Sequence, residues 1–250
     1  TAYSVSVSTE PSARTTCTVS NGTNTVGTSN VTNVDVSCVT QHIAYVANVG
    51  TNTVSLCSVD ATTGALSGCA STGSGFSGPY GVVAVSPNGS YAYVANINNS
   101  TVSQCSVDPT TGALSGCAST GTGFSGSFSV SLSANGSYAY VTNYSNSTVS
   151  QCSVNAATGA LSSCVSTGSG FSSPTGVTLS ANGSYAYVGN FGASTVSLCS
   201  VNAATGALSG CASTGSGFSS PAGAALSPDG SRAYVANYLL AGTVSQCSVN

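Results

Sequence analysis

The chain has 250 residues, 41% of them hydrophobic but only 3% charged, and a net charge of −3, so it can bury a continuous core yet projects almost no electric field. It has no Lys, and its two cations are Arg14 and Arg232, which excludes counterion-releasing contacts with nucleic acid and electrostatic capture by an anionic membrane. Nothing in it reaches the roughly 18 consecutive apolar residues of a membrane-spanning helix, while 11 cysteines at regular spacing point to disulfides and an oxidising, extracellular compartment.

In chain order, residues 1–40 read as a β segment of their own, with β-rich stretches in Tyr3–Thr9, Cys17–Val19 and Asn30–Cys38. From residue 41 to 250 the sequence repeats. Tyr45, Tyr93, Tyr140, Tyr187 and Tyr234 each sit in an A-Y-V motif, at intervals of 48, 47, 47 and 47 residues. Cys57, Cys105, Cys152, Cys199 and Cys247 keep nearly the same interval, as do Cys69, Cys117, Cys164 and Cys211. A period of about 47 residues suits a four-stranded propeller blade. Helical repeats of that length need long apolar helices, and no segment carries a 3.6-residue period.

The unit 81–119 predicts four strands. Gly81–Ser86 is an apolar run closed by the turn Pro87-Asn88-Gly89, Tyr91–Asn96 is β-rich, and Thr101–Val107 alternates. Asp108–Gly112 is a hairpin turn, and Leu114–Ser119 is the fourth strand. The fold class expected is all-β: a propeller-like array of four-stranded antiparallel blades, about 4.5 units over 41–250, either open or completed by a neighbouring subunit. Setting Cys105 opposite Cys117 puts Val107 opposite Ser115, close enough for a bridge. The same arithmetic pairs Cys57 with Cys69, Cys152 with Cys164 and Cys199 with Cys211.

Cys17, Cys38 and Cys247 are left over. Cys17–Cys38 is the fifth pair expected, and Cys247 sits where its partner would lie on a fourth strand of the last unit. An unpaired cysteine suggests an intermolecular bond, or a chain cut before its partner. At the front, Val34, Val36 and Cys38 are placed to supply a first strand ahead of His42. Two alternatives stand: a piece of a longer propeller, or a last blade that accepts an N-terminal strand of the next copy, head to tail, with Cys247 bonding that copy's Cys17 or Cys38.

The A-Y-V-A-N and Y-V-T-N segments, the literal Tyr140-Val141-Thr142-Asn143, and the S-P-N-G, S-P-D-G and D-x-T-T-G turns resemble the YVTN family of β-propeller repeats, a relative of the lactonase-like propellers that is common in bacterial surface and secreted proteins. Residues 1–40 are similar to half of a β-sandwich-like repeat of bacterial extracellular proteins, a likeness that implies a bridge between its two cysteines. Lactonase-like enzymes of this superfamily place acidic, basic and His residues around a central funnel, and no matching set is found here.

An active site needs residues that break the repeat. His42 is the only His and lies where later units have Ser90, Ser137, Ser184 and Ser231. Asp229 and Arg232 read as a local surface pair. Asp60 and Asp108 open hairpin turns, and Asn155 and Asn202 replace them in later units, which speaks for turn chemistry. No zinc-type spacing occurs, so no metal or cofactor is expected. Tyr91 and Tyr93 share a strand face and read as packing groups rather than sugar platforms. N-x-S/T acceptor sites occur at Asn21, Asn30, Asn88, Asn98, Asn99, Asn135, Asn143, Asn146 and Asn182.

These observations predict a non-enzymatic extracellular structural or adhesive protein that self-associates head to tail, polymerising into a filament. The alternatives are a propeller module that binds glycans or proteins at a cell surface, and a lactonase-like hydrolase.

Overall fold

The computed structural model describes residues 1–8, 14–239 and 242–249. Every regular element among them is a strand. Two small sheets come first: β1 (Ala2–Ser4) pairs with β3 (Thr23–Thr25), and β2 (Thr15–Ser20) pairs with β4 (Asp35–Thr40). Cys17 lies directly opposite Cys38 in the latter, and the two are bridged. Because β4 is committed to β2, the stretch with Val34, Val36 and Cys38 does not supply a first strand to the next sheet.

That next sheet is a three-stranded blade of β5 (His42–Asn48), β6 (Thr53–Val59) and β7 (Leu66–Thr72). Three complete blades follow, each an antiparallel meander. They are β8 (Pro79–Val85) to β11 (Leu114–Thr120) through β9 (Tyr91–Asn96) and β10 (Thr101–Val107); β12 (Ser127–Leu132) to β15 (Leu161–Thr167) through β13 (Tyr138–Asn143) and β14 (Thr148–Val154); and β16 (Pro174–Leu179) to β19 (Leu208–Thr214) through β17 (Tyr185–Asn190) and β18 (Thr195–Val201). The fifth blade holds β20 (Pro221–Leu226), β21 (Arg232–Asn237) and β22 (Val244–Ser248). The first strands β8, β12, β16 and β20 pack on one another in turn, so they line the inner side of the arc. This is the propeller arrangement that the 47-residue period predicts.

Strand periodicity explains the core. Side chains two apart share a face, so Ala92 and Val94 pack with Val54 of the preceding blade, while Tyr93 and Ala95 pack with Val130 and Val141 of the following one. Each of the three complete blades is thus buried on both faces along its second strand, which is why A-Y-V-A-N reads as an unbroken apolar run.

The Asn that ends the motif has a polar task. Asn143 is fully buried; its Nδ2 donates to Ser150 Oγ (2.8 Å) and Thr148 Oγ1 (3.1 Å), and its Oδ1 accepts from the Ser125 backbone N–H (3.2 Å). One amide therefore ties two strands of the blade to the tract entering it. Asn190 makes the equivalent set through Ser197, Thr195 and Ser172.

Each outer hairpin is clipped by a disulfide: Cys57–Cys69, Cys105–Cys117, Cys152–Cys164 and Cys199–Cys211, with Cα–Cα distances of 4.0–4.1 Å. The register differs from the expected one. Val107 faces Leu114, not Ser115, while Gln104 faces Ala118, and a β-bulge at the bridge absorbs the difference. Gly116, with φ +58°, makes that bulge without a Cβ clash.

Candidate functional site

The repeat is broken most clearly at the residue after the motif Asn. That position holds Ile97, Tyr144, Phe191 and Tyr238 in successive units. Each side chain leaves its strand at the second-to-third strand turn, and each backbone is pinned there: Tyr144 N–H donates to Gly126 C=O (3.0 Å) and Tyr238 N–H to Ser220 C=O (3.2 Å). Tyr80 and Phe128, near the starts of β8 and β12, reach the same end of the blades.

The result is a continuous row of five rings. Centroids of Tyr80 and Phe128 lie 4.2 Å apart, Phe128 and Tyr144 5.7 Å, Tyr144 and Phe191 6.0 Å, and Phe191 and Tyr238 5.7 Å. All four spacings fall in or just below the range of favourable aromatic pairs. Phe128 is buried, Tyr80, Tyr144 and Phe191 are half-buried, and Tyr238 at the end of the row is 64% exposed. Such a row offers apolar faces to a flat or ring-shaped ligand and the tyrosine hydroxyls as polar handles. Its signal in the sequence is the aromatic at 144, 191 and 238, which follows Asn each time.

Those two tyrosines are packing groups. Tyr93 and Tyr140 are fully buried, and their hydroxyls donate to the carbonyls of Gly159 and Gly206 in the next blade, 2.7 Å away in both cases. Burial and the neighbouring tyrosines Tyr91 and Tyr138 push both phenols up to about 12. Tyr91 and Tyr138 donate in the same way to Ala157 and Ala204.

The singular charged residues are not brought together. His42 lies exposed at the start of the first blade, opposite Val59. Arg232 lies exposed at the start of β21 in the fifth. Asp229 turns to its own loop instead, accepting from Ser227 Oγ, Ser231 N–H and Ser231 Oγ, which hold its carboxyl down to about 2. Asp60 and Asp108 accept from the N–H groups two and three residues on, as Asn155 and Asn202 do. Among the described residues no cluster of His, Cys, Asp or Glu is placed to hold a metal ion.

Of the acceptor sites, Asn143 is ruled out in the folded chain, because its amide is buried and bonded at both ends. Asn21, Asn30, Asn88, Asn98, Asn99, Asn135, Asn146 and Asn182 are exposed. Cys247 is a free, half-buried thiol on β22, beside a cavity of about 250 Å³ lined by Tyr187, Leu198, Phe218 and Val249.

A family described as lactonase, seven-bladed β-propeller, matches residues 29–217 and 140–250. A protein from Bacteroides uniformis assigned as a 6-phosphogluconolactonase has the same fold at a TM-score of 0.61 and 20% identity, covering 83% of this chain and 63% of its own. A protein of unknown function from Desulfotomaculum acetoxidans aligns at 0.58 and 17%, covering 82% and 65%. The periplasmic gluconolactonase of Pseudomonas aeruginosa aligns at 0.59 and 21%, covering 83% and 67%. The chain thus spans less than two thirds of the first two structures. No curated protein matches it by sequence.

The family match overturns the expectation of a non-enzymatic structural or adhesive protein that forms filaments, since the fold and repeats are those of a family of lactonases. The expectation rested on the absence of an acidic, basic and His set, and a chain with only 3% charged residues carries little such signal.

Proposed function

The chain belongs to the lactonase family of seven-bladed β-propellers, and on that premise we propose that it is a lactonase-like hydrolase that opens the ring ester of a sugar-acid lactone. The observation that carries this reading is the family match, which together spans residues 29–250. In the reaction, water adds to the ring carbonyl carbon, the acyl–oxygen bond breaks, and the ring oxygen takes up the proton that the water gives up. The product is a hydroxy acid.

The chain's composition favours an uncharged substrate. A phosphorylated lactone needs cations to hold it, and this chain offers Arg14 and Arg232 alone, in blades and segments far apart in the sequence. The row from Tyr80 to Tyr238 suits the apolar face of a neutral ring. Five disulfides fit a compartment outside the cytoplasm, and secretion or display at the cell surface is part of the proposal.

Gluconolactone is the first probe, with acid release followed above the spontaneous rate. Turnover that exceeds the blank, and that falls at least tenfold in Tyr144→Ala, supports the reading. A rate equal to the blank across five- and six-membered lactones, neutral and phosphorylated, overturns it. Ring binding to the aromatic row without turnover would favour a glycan-binding module instead.

A further inference from the structure

The aromatic row does not follow the repeat that builds the blades. Two repeat positions feed it. The second residue of the first strand is Tyr80, Phe128, Thr175 and Ala222 in successive units, and the residue after the motif Asn is Ile97, Tyr144, Phe191 and Tyr238. Rings hold the first position early in the chain and the second position later, and only the blade from β12 to β15 has both. The row therefore crosses from the first strand to the second-to-third strand turn within that blade, through Phe128 and Tyr144, whose planes lie 25° apart. A packing need set by the blade recurs at one position in every unit, as the motif tyrosine does. A line that stays continuous only because its members change position answers to something that runs across blades.

The polar groups of the row are unspent. The tyrosines between blades, Tyr91, Tyr93, Tyr138 and Tyr140, each donate to a carbonyl of the next blade. The hydroxyls of Tyr80 and Tyr144 bond to no described residue, nor do the side chains of Asn98 and Ser145, which are exposed and follow Ile97 and Tyr144 in the chain. Charge is absent from this end of the complete blades. The turns 97–100, 144–147 and 191–194, and the tracts 73–78, 121–126 and 168–173 that bond to them, hold no Asp, Glu, Lys, Arg or His.

An occupant that fits is uncharged, offers apolar faces to the rings, and carries hydroxyls for donors and acceptors that its binding strips of water. An acyl chain lacks the hydroxyls. A peptide strand pairs with a free strand edge, whereas these groups are side chains on turns. A sugar ring has both a C–H face and a hydroxyl rim, and it covers about one aromatic ring. From Tyr80 to Phe191, all in complete blades, the centroid steps are 4.2, 5.7 and 6.0 Å, so the row has room for several sugar rings in line. We propose that it is the subsite for an extended, uncharged, β-linked oligosaccharide, and that the lactone opened by the chain stands at the end of such a sugar chain. The second half of this statement rests on the hydrolase reading above.

The probes are β-1,4-linked glucose oligosaccharides of two to five residues, reduced at C1 so that they hold no lactone, titrated calorimetrically into the full chain. Kd is expected to fall at least tenfold from the disaccharide to the tetrasaccharide. Tyr144→Ala and Phe191→Ala should abolish that gain at an unchanged unfolding midpoint, and Tyr144→Phe, which keeps the ring, should lose only part of it. Absence of binding at every length, affinity independent of length, or a gain that survives Tyr144→Ala would overturn the subsite. Turnover is read separately on gluconolactone and on the matching oligosaccharide lactones. Turnover without a gain from length overturns the subsite and leaves the hydrolase standing; a gain from length without turnover upholds the subsite and overturns the hydrolase.

Discussion

The hydroxyl of Tyr140 reaches the carbonyl of Gly206, 2.7 Å away and 66 residues further along the chain. Tyr93 makes the same bond to Gly159, and Tyr45 reaches Gly112. Each bond joins the motif strand of one blade (β5, β9 or β13) to the outer hairpin turn of the next, so the motif tyrosine fixes the angle between blades as well as filling the space between them. Removing one leaves a carbonyl without a donor in an apolar setting. Tyr140→Phe is expected to lower stability by about 1–2 kcal/mol, read from urea unfolding. The phenol also sets an alkaline limit. Its folded pKa of about 12 lies above the ordinary 10.0, so the neutral form is favoured by folding; stability is full below pH 10 and falls as pH rises from 10 to 12. The fall should be shallower in Tyr140→Phe.

At the acid end the sign is reversed. Ser227 and Ser231 hold the Asp229 carboxyl at about 2, against the ordinary 3.8. A depressed pKa contributes stability that is present above pH 4 and is lost as pH falls towards 2. Asp229→Asn should flatten that part of the urea midpoint against pH. An unchanged profile would show that the serine bonds do not persist in solution.

The outer hairpins depend on their bridges one at a time. Cys152 and Cys164 are 12 residues apart, and closing a loop of that size is worth about 3 kcal/mol in the chain-entropy model. The double variant Cys152→Ala, Cys164→Ala should lose roughly that much. Hydrogen exchange should quicken most in β14 and β15, because each bridge constrains a single hairpin.

Ser163 takes the bulge position that Gly68, Gly116 and Gly210 hold in the other blades, at φ 49°. A left-handed backbone costs a residue with a Cβ about 1–2 kcal/mol, partly offset by the lower chain entropy that serine gives the unfolded state. Ser163→Gly should therefore raise stability by about 0.5–1 kcal/mol. Calorimetry of the two forms checks it.

Asn143→Ala removes an amide with three bonds and leaves the Ser125 N–H without its acceptor. A loss of about 2–3 kcal/mol is expected. Peptide mass mapping of the native protein should find Asn143 free of sugar, whatever occupies exposed acceptors such as Asn146 and Asn182. A glycan on Asn143 would be incompatible with this blade.

Much of this molecule was legible from residue order alone. The strands at Tyr91–Asn96 and Thr101–Val107 and the cysteine partners follow from alternation, turn residues and spacing, which are local properties that a 47-residue repeat states several times over. The aromatic row was not legible. Tyr80 and Phe128 leave one strand of their blades and Tyr144, Phe191 and Tyr238 leave another, and only the stacking of blades brings these positions to one end. The bulge at Cys105 also escaped arithmetic, because a single extra residue changes the register without changing the composition.

Sequence by itself determined the unit: four short strands and a clipped hairpin, restated every 47 residues or so. Tertiary structure alone decided how the units share surfaces, placing Thr214 and Gly215 beside Cys247 and lining up five rings across successive blades. The reason lies in range. Hydrogen-bond register and turn chemistry act over a few residues, whereas burial between blades depends on side chains some 47 positions apart.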